Sequence, residues 1–300
     1  MMARCSTETG TLLAHEPMRS YTSWRVGGPA DRLYIPVDME DLATFLHDLP
    51  PGEPLHFVGL GSNLLVREGG IRGTVVVLHD ALTEIHFDGQ TVYAEAGVSC
   101  PKLARLAARQ HLHGTEFLAG IPGTVGGALA MNAGCHGAET WDIVERAMTI
   151  DRHGVLRERS RAALEIGYRH VILPGEEWFV AAWFKLRSGE ASVAEEKIKS
   201  MLARRLATQP LNKPNAGSVF RNPEGDFAAR LIESCGLKGT SIGGAQVSEK
   251  HANFIINTGK ATANDIENLI VHVHDTVLKQ AGVDLRREVR IIGEGLEARG

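Results

Sequence analysis

The sequence predicts an α+β protein with a strand-rich N-terminal module and a smaller C-terminal lobe. Residues 20–187 contain many short apolar or alternating runs separated by glycine and proline turns, a pattern typical of strands. A charged helical run over 192–207 then leads into Pro210–Pro214, which has the composition of a linker. Beyond it, the most regular 3.6-residue apolar repeat of the chain predicts a long amphipathic helix after Thr262.

Composition narrows the classes of protein to which the chain can belong. Of its 300 residues, 43% are hydrophobic and 23% are charged, as in soluble globular proteins. The net charge of −4 provides no basic field for nucleic acid, and no apolar run reaches the roughly 20 residues of a membrane span. The N-terminal MMARCSTETG lacks the apolar core of a signal peptide, so we expect a cytoplasmic protein.

Cysteines and histidines predict no metal site. The cysteines at positions 5, 100, 135 and 235 have no CxxC or other metal-like spacing, and we expect reduced thiols. His272 and His274 lie two apart on a predicted helix and therefore point to different sides of it.

The N-terminal part alternates predicted strands with two short helices. Asp38–Leu49 repeats apolar residues on one helical face and is ended by Pro50–Pro51–Gly52. A second helix is predicted from Ser99, as its N-cap, to about Gln110. Asp88-Gly89 predicts a hairpin between two of the strands. The predicted strands are 30–36, 55–58, 64–66, 74–78, 82–87, 91–96, 147–151, 155–158 and 178–186.

Polar capping residues begin three further predicted helices, at the capping box Ser192–Glu195, at Asp226 and at Thr262. The first of these helices is expected to end near Ala207 and the second at Gly236. The remaining predicted strands are Ile255–Ile256 and Glu288–Ile292.

The stretch Ala119–Gly137, AGIPGTVGGALAMNAGCHG, is explained least well by ordinary core packing. It holds six glycines, at 120, 123, 126, 127, 134 and 137, among residues that favour burial. Clustered glycines in an apolar run indicate positive-φ turns or close approach of the backbone to a ligand. We interpret the stretch as a backbone cradle for a flat or phosphorylated ligand. The alternative is a tight turn into a helix of small residues.

A second glycine-rich loop follows the predicted strand at 55–58. Its residues, Gly59-Leu60-Gly61-Ser62-Asn63, can present successive N–H groups to an anion. The loop is not a dinucleotide-binding fingerprint, because GLGSNL lacks the third glycine and no long helix follows. The alternative is a plain β-turn.

Three polar residues are candidates for chemistry. Ser218, in NAGSVFRNP, could be a nucleophile or a proton donor, but no GxSxG motif or histidine base is present, and a turn hydroxyl is the alternative. Arg169, in GYRHV on a strand-like segment, could clamp a carboxylate, or could form a surface ion pair. Glu288, in REVRIIG, begins an apolar strand, where a solvated glutamate is the ordinary interpretation.

Seven ordered motifs resemble one family. They are YTSWRVGGPAD, GLGSNLLV, AGIPGTVGGALAMNAG, GYRHV, NAGSVFRNP, IGGAQVSEKHANFIIN and EVRIIGE. Together they closely resemble the UDP-N-acetylenolpyruvoylglucosamine reductases, the flavoproteins of peptidoglycan precursor synthesis. The resemblance spans residues 22–294, and seven motifs in order are far more specific than any one of them.

The resemblance implies a vanillyl-alcohol-oxidase-type FAD-binding module over residues 1–205, with subdomains of about 1–80 and 81–205. It implies a smaller α/β substrate-binding lobe over 206–287 and a return to the FAD module over 288–300. It also implies non-covalent FAD, with NADPH as the hydride donor. The residues it assigns to FAD are Gly59, Leu60, Gly61, Ser62, Asn63, Gly120, Ile121, Pro122, Gly123, Gly126, Gly127, Ala128, Asn132, Ala133 and Gly134.

The resemblance further implies the reaction. NADPH reduces the flavin and leaves, and hydride then passes from flavin N5 to C3 of the enolpyruvyl ether of UDP-N-acetylglucosamine. Ser218 is the implied general acid that protonates C2, while Arg169 and Glu288 stabilise the negative charge that spreads into the carboxylate. Serine is a weak acid, so we expect help from Glu288 or Arg221. The implied substrate contacts are Arg169, Asn215, Arg221 and Asn222.

The chain departs from the family pattern in three places. Cys135-His136 stands where an Ala-Tyr pair is common, and Arg221 stands where lysine is usual. Only 18 residues, Pro223 to Thr240, separate the serine loop from Ile242-Gly243-Gly244. That is too short for the substrate-lobe insertion of one subtype, which indicates the second subtype without the substrate-closing tyrosine loop.

Two rival functions stay open at this level. One is another FAD oxidoreductase of the same fold, such as a sugar or alcohol oxidase, against which the Ser218 and Glu288 motifs argue. The other is a catalytically silent sugar-nucleotide-binding protein. We expect a monomer that binds neither nucleic acid nor membrane.

Overall fold

A computed structural model describes residues 9–296 of the chain. Cys5 and the N-terminal segment on which the absence of a signal peptide was predicted lie outside the described residues. No helix within 9–296 is both long and apolar enough to cross a membrane. The described α-helices are α1 (Met39–His47), α2 (Cys100–Arg109), α3 (Val125–Met131), α4 (Ala191–Thr208), α5 (Ala228–Ser234) and α6 (Ala263–Ala281).

The described strands are short, and most belong to small antiparallel sheets. They are β1 (Thr11–Pro17), β2 (Pro29–Ile35), β3 (Leu55–Val58), β4 (Leu64–Val66), β5 (Ile71–Val77), β6 (Ile85–Asp88), β7 (Thr91–Glu95), β8 (Leu112–His113), β9 (Gly134–Cys135), β10 (Ala138–Glu139), β11 (Val144–Asp151), β12 (Leu156–Ser160), β13 (Glu165–Gly167), β14 (His170–Ile172), β15 (Glu177–Lys185), β16 (Arg187–Ser188), β17 (Ser241–Ile242), β18 (Ala245–Val247), β19 (Ile255–Asn257) and β20 (Arg290–Ile292).

The chain divides into two compact units. The first contains residues 9–14, 32–60 and 73–203, and the second contains residues 15–31, 61–72 and 204–296. Two N-terminal segments therefore group with the C-terminal part, whereas the sequence predicted one continuous module over 1–205. Where the cofactor-binding and substrate-binding functions divide stays a prediction.

The core of the first unit lies beneath a five-stranded antiparallel sheet with the strand order β12-β11-β15-β7-β6. Helices α2 and α3 supply its apolar partners, among them the fully buried Leu103 and Leu129, together with Trp141. The first turn of α3 is hydrogen-bonded to the segment after β7, because Val125 N donates to Val98 O at 2.8 Å and Gly126 N to Ala96 O at 2.9 Å. These bonds fix α3 against the sheet.

A second sheet of the fold has the strand order β1-β2-β5-β3 and includes the parallel pair β3–β5. Helix α1 packs into the core cluster that contains β5, with Leu42 and Leu46 buried as the sequence predicts. Asp38 caps α1 by accepting a hydrogen bond from Asp41 N at 2.8 Å. The predicted β6–β7 hairpin is also confirmed, with Asp88 paired to Thr91.

The second unit is built around α6, the three-stranded sheet β17-β18-β19 and the parallel pair β4–β20. Trp24 is fully buried here and donates from Nε1 to Ile255 O at 2.7 Å, while Asn257 Nδ2 donates back to Trp24 O at 2.9 Å. Arg67 pairs with Glu267 of α6 at 2.7 Å. These contacts join residues that are 200 to 233 positions apart in the sequence.

Three local predictions are wrong. Helix α4 begins at Ala191, and the carbonyl of Glu190 accepts from Val193 N and Ala194 N, so Ser192 lies in the first turn and opens no capping box. Asp226 is not the cap of α5, because Asn222 Oδ1 accepts the Ala228 N–H at 3.1 Å instead. The C-terminal strand begins at Arg290, two residues after Glu288.

Helix α6 follows its prediction closely. Thr262 accepts a hydrogen bond from Asp265 N, and the Asp265 carboxylate accepts from Thr262 N, which completes a capping box. Gly282 ends the helix at φ +68°. The predicted apolar face of α6 is buried throughout.

Candidate functional site

The glycine-rich stretch folds as a turn, a helix and a small hairpin. A 3₁₀ turn over Glu116–Gly120 leads into α3, whose N-cap Thr124 accepts from Gly127 N at 3.4 Å. The tight turn into a helix of small residues, considered above as the alternative, is therefore the local structure. Of the six glycines only Gly137 has a positive φ, of +81°. Glycine is needed here for close approach rather than for turning.

Two consecutive glycines of α3 face different surroundings. A Cβ at Gly126 would lie 2.8 Å from Cβ of Ala96, closer than real Cβ atoms approach. At Gly127, which is exposed, the nearest atom would be Thr124 Oγ1 at 3.7 Å. One side of the helix is thus closed by the sheet, while the backbone at Gly127 is open to a ligand.

The loop after β3 reaches the start of α3 within the first unit. A Cβ at Gly59 would overlap the Thr124 hydroxyl oxygen, so only glycine fits at this position. The two glycine-rich stretches that the sequence singled out therefore meet at Gly59 and Thr124. Sequence reasoning did not select Thr124, although a threonine three residues before Gly127 is a recognisable N-cap signal.

The rest of the loop belongs to the second unit. Gly61 has a φ of +61°, and a Cβ there would overlap the carbonyl oxygen of Tyr21. Among residues 9–296, no acceptor takes the N–H groups of Gly61, Ser62 and Asn63 or the Ser62 hydroxyl proton. This turn presents the successive backbone donors that an anion requires.

Arg169 lies in a hairpin turn and not, as predicted, on a strand-like segment. The last pair of the β13–β14 hairpin is Gly167 with His170, which leaves Tyr168 and Arg169 as a two-residue turn. Arg169 has a φ of +61°, a conformation that costs a non-glycine residue about 1 kcal/mol or more. Its Nη2 donates to Gly134 O at 2.9 Å, and its guanidinium lies 5.1 Å from the Tyr168 ring centre.

Asn132 and Cys135 bond to the protein itself. The buried Asn132 amide contacts Glu139, Gly167 and Trp141, which lie 7 to 35 residues away in the sequence. The Cys135 thiol, at the position where the resemblance leads us to expect alanine, donates to Phe117 O at 3.1 Å. The following residue, His136, is the first of the two turn residues of the β9–β10 hairpin. The Cys135 departure thus ties β9 to the preceding 3₁₀ turn.

The second unit brings the serine loop and the C-terminal glutamate side by side. Glu288 N donates to Val219 O at 2.8 Å, directly after Ser218. Asn63 Nδ2 donates to Glu288 O at 3.1 Å, so one of the predicted cofactor residues also holds the segment that precedes β20. Ser218 is half-buried, and its hydroxyl has no hydrogen-bond partner among the described residues. It is available to a ligand.

Asn253 fixes the serine loop and was missed by the sequence reasoning. Its side chain is buried, accepts from Phe220 N at 2.9 Å and donates to Phe220 O at 2.8 Å. Its own carbonyl accepts from Val219 N at 2.9 Å. The available signal was the motif IGGAQVSEKHANFIIN, which contains this residue but whose polar side chains had no assigned role.

Three of the four predicted substrate contacts, Asn215, Arg221 and Asn222, lie on the same loop as Ser218. Asn215 uses its amide within the loop, donating to Pro210 O and Lys213 O and accepting from Gly217 N at 3.0 Å. Asn222 accepts the first N–H of α5, and Arg221 N donates to Arg286 O at 2.8 Å. Both asparagine side chains thus shape the loop. Within the described residues, no group of three or more His, Cys, Asp or Glu is placed to hold a metal ion.

Comparison with known proteins identifies the family. A model of the UDP-N-acetylenolpyruvoylglucosamine reductase C-terminal domain matches residues 209–292, and a model of an FAD binding domain matches residues 30–159. The chain is 59% identical to the UDP-N-acetylenolpyruvoylglucosamine reductase of Nitrosospira multiformis over 95% of this chain and 89% of that protein. The chain belongs to the UDP-N-acetylenolpyruvoylglucosamine reductase family.

Two further relatives support the assignment to this family. The reductase of Thiobacillus denitrificans is 57% identical over 95% of this chain and 93% of its own length. The crystal structure of the reductase from Thermus caldophilus matches with a TM-score of 0.80 at 31% identity, covering 94% of this chain and 98% of that one. The predicted family, the α+β fold with an FAD-binding module and a smaller C-terminal domain, and the assignment as an FAD-dependent oxidoreductase are confirmed.

The residues present fit FAD, which combines a flat ring system with a diphosphate. In the first unit, the open backbone at Gly127 and the glycine-only contact of Gly59 with Thr124 suit close approach of a flat group. In the second unit, the unused donors of Gly61–Asn63 suit a phosphate. Which of the fifteen predicted residues contact the cofactor stays a prediction.

Proposed function

We propose that this member of the reductase family reduces the enolpyruvyl ether of UDP-N-acetylglucosamine enolpyruvate to UDP-N-acetylmuramate, an early step of peptidoglycan precursor synthesis. NADPH is the reductant. When bound and reduced by NADPH, FAD would supply from N5 the hydride that C3 of the enol ether receives. The protein itself must bind the two substrates in turn, stabilise the charge that develops on the enolpyruvyl group, and deliver a proton to C2.

Ser218 delivers the proton to C2. Its hydroxyl is half-buried and uncommitted, on a loop that Asn253 holds by three hydrogen bonds. The single observation that carries this assignment is the Glu288 N to Val219 O hydrogen bond, because it brings the backbone of Glu288 next to the loop that carries the weakly acidic Ser218. A positioned acid of this kind contributes about 10²- to 10⁴-fold to a rate.

Arg169 binds the carboxylate of the enolpyruvyl group. A guanidinium matches a carboxylate with two parallel N–H donors, and it stabilises the negative charge that spreads into the group as hydride arrives. The strained φ of +61° at Arg169 supports this role, since strained residues are concentrated at functional sites. Glu288, in its protonated form, provides a further donor to the same charge.

Residues Asn215, Arg221 and Asn222 serve substrate binding. Arg221 provides a fixed positive charge suited to the substrate's phosphates, although its planar fork binds them with a different geometry from a lysine. Asn215 and Asn222 keep the loop in the shape that presents Arg221 and Ser218, because the Asn215 side chain bonds within the loop and the Asn222 side chain bonds to the start of α5.

The chain acts as a monomer in the cytoplasm, without nucleic acid or membrane partners, and belongs to the subtype that lacks the substrate-lobe insertion. Its net charge of −4 supports the absence of a nucleic-acid partner. The cytoplasm is where NADPH and nucleotide sugars are available. Light scattering of the purified protein after gel filtration measures its molar mass, which should be that of a single chain.

An anaerobic two-step experiment tests the function. We expect purified yellow protein to be bleached by one equivalent of NADPH, and its colour to return when UDP-N-acetylglucosamine enolpyruvate is added, with UDP-N-acetylmuramate as product. Bleaching that only oxygen reverses, with peroxide formed, would instead indicate an oxidase. Protein that binds no flavin would support a silent sugar-nucleotide-binding protein.

A further inference from the structure

We propose that Asn132 is a positioning residue for Arg169, acting through the hairpin that carries the guanidinium. The inference rests on the proposed role of Arg169 in binding the enolpyruvyl carboxylate. Family resemblance placed Asn132 among the FAD contacts, but its hydrogen bonds point to this different task.

The Asn132 amide is saturated by protein partners. The side chain is 2% exposed at the C-terminal end of α3, with a φ of +40°. Its Nδ2 donates to Glu139 Oε2 at 2.8 Å and to Gly167 O at 3.2 Å, which uses both of its N–H bonds. Its Oδ1 accepts from Trp141 N at 3.1 Å. Nothing of the amide's donor capacity is left for a ligand.

The segment 132–134 holds the Arg169 hairpin at two points. The Asn132 amide donates a hydrogen bond to the carbonyl of Gly167, which is the last residue of β13 before the turn. Two residues further along, the carbonyl of Gly134 accepts from Arg169 Nη2 at 2.9 Å. One short segment therefore fixes both the backbone entering the turn and the charged end of the side chain.

The hairpin needs such support. It has three residues in each strand, and an isolated two-stranded hairpin is at best marginally stable in water. Its turn also carries the unfavourable positive φ of Arg169, which persists only where the surroundings impose it. Glu139 completes the arrangement, because by accepting one N–H of the amide it directs the other toward Gly167 O.

Asn132→Gly is the test, since glycine adopts a φ of +40° readily and the substitution removes the side chain with its three hydrogen bonds. We expect the FAD dissociation constant and the rate of flavin reduction by NADPH to stay within about threefold of wild type. Reoxidation by the enolpyruvyl substrate should be slowed about 10- to 100-fold, as expected when a binding group is misplaced by about 1 Å. Glu139→Gln, which keeps a carbonyl acceptor for the amide, should stay near wild type, whereas Glu139→Ala should resemble Asn132→Gly.

A double-mutant cycle separates positioning from a general structural role. If Asn132 acts through Arg169, adding Asn132→Gly to Arg169→Ala should slow reoxidation by less than about twofold more. In the FAD-free protein, hydrogen exchange of the amides at 165–172 should accelerate in Asn132→Gly and not in Glu139→Gln. If Asn132→Gly fails to fold, Glu139→Ala provides the same comparison.

The outcomes distinguish the two proposals. Equal slowing of both half-reactions, or full additivity with Arg169→Ala, would contradict the positioning role. If Arg169→Ala slows reoxidation but neither Asn132→Gly nor Glu139→Ala does, the proposed function stands and the inference fails. If Arg169→Ala reoxidises at the wild-type rate, the proposed role of Arg169 itself is wrong.

Discussion

At the scale of single residues, Gly126 and Gly127 show how two identical neighbours serve different purposes. Gly126 lets α3 approach the segment after β7, where a Cβ would meet Ala96 at 2.8 Å. Gly127 has ordinary space around it, and its place in an exposed helix turn offers no structural reason for glycine. The remaining reason for a glycine there is a ligand that approaches the backbone.

This contrast predicts opposite effects of two alanine substitutions. Gly127→Ala should stabilise the FAD-free protein by about 0.5–1 kcal/mol, because alanine loses less backbone entropy in a helix. It should nevertheless raise the dissociation constant of FAD. Gly126→Ala should lower the free energy of unfolding by about 1–3 kcal/mol through overpacking. Urea unfolding and flavin titration measure both quantities, and a Gly127→Ala variant that binds FAD as wild type does would place the cofactor elsewhere.

Sequence reasoning was most informative about residue types and least informative about what each side chain touches. The motifs singled out Ser218, Arg169 and Glu288 before any geometry was known, and glycine clustering marked both loops. The contact of Asn132 with the cofactor stays a prediction, and the bond of its amide to Gly167, which is 35 residues away, was not foreseen. Such partners are set by tertiary structure, so no local pattern reveals them.

At the scale of elements, whether a helix start was predicted correctly depended on which side chain accepts hydrogen bonds from the first free N–H groups of the helix. The Thr262 box was predicted correctly because Asp265 returns the hydrogen bond. Ser192-x-x-Glu195 has the same pattern, but α4 already begins at Ala191, so the serine lies two residues after the N-cap position, which Glu190 occupies. A short pattern fixes a helix start only to within a residue or two.

The two helix starts give a matched pair of substitutions. Thr262→Ala should lower the free energy of unfolding by about 0.5–2 kcal/mol, the usual cost of losing an N-cap. Ser192→Ala, at an exposed position in the first turn of α4, should change it by less than about 0.5 kcal/mol. Urea unfolding of the FAD-free proteins measures both. A larger loss of unfolding free energy in the Ser192 variant would indicate that Ser192 does cap α4, in contradiction to the structure.

The central strand β15 contains a carboxylate whose charge is coupled to folding. Arg159 donates to Glu177 and is the main cause that holds the pKa of this carboxyl below its ordinary value of 4.5, with Thr149 adding a further hydrogen bond. A lowered pKa means that the ionised group stabilises the folded state at neutral pH. That contribution is lost as the pH falls through the lowered pKa.

Glu177→Gln should therefore flatten the acid limb of the stability profile. Between about pH 5 and about pH 3, the free energy of unfolding should fall less steeply in the variant than in wild type. The variant should also be the less stable of the two at pH 7, because it leaves Arg159 without its carboxylate. Urea unfolding at several pH values gives the slopes, and identical slopes would show that Glu177 does not titrate with folding.

At the scale of the whole molecule, the predicted α+β class was correct, while the division of the chain was not visible in the sequence. Residues 15–31 and 61–72 group with the C-terminal part. They do so through long-range contacts, such as Trp24 with Ile255 and Arg67 with Glu267. The linker composition at Pro210–Pro214 indicates where one unit can end. It cannot show which earlier segments of the chain belong to the unit that follows the linker.

The proposed catalytic residues come from parts of the chain that are distant in sequence. Ser218 and Glu288 are 70 residues apart, yet the backbone bond between Val219 and Glu288 sets them side by side in the second unit. Arg169 is positioned in the first unit by the segment that ends α3. The glycine-rich stretch thus serves both as the proposed cofactor wall and as the support of a proposed catalytic residue.

The proton-donor role of Ser218 is the central claim, and the anaerobic two-step experiment on Ser218→Ala tests it most directly. NADPH should bleach the flavin of this variant at the wild-type rate, while its reoxidation by UDP-N-acetylglucosamine enolpyruvate should be slowed about 10²- to 10⁴-fold. The exposed Ser241, whose hydroxyl bonds to Gly239 O, supplies the control variant Ser241→Ala, which should behave as wild type. Reoxidation of Ser218→Ala at the wild-type rate would contradict the account.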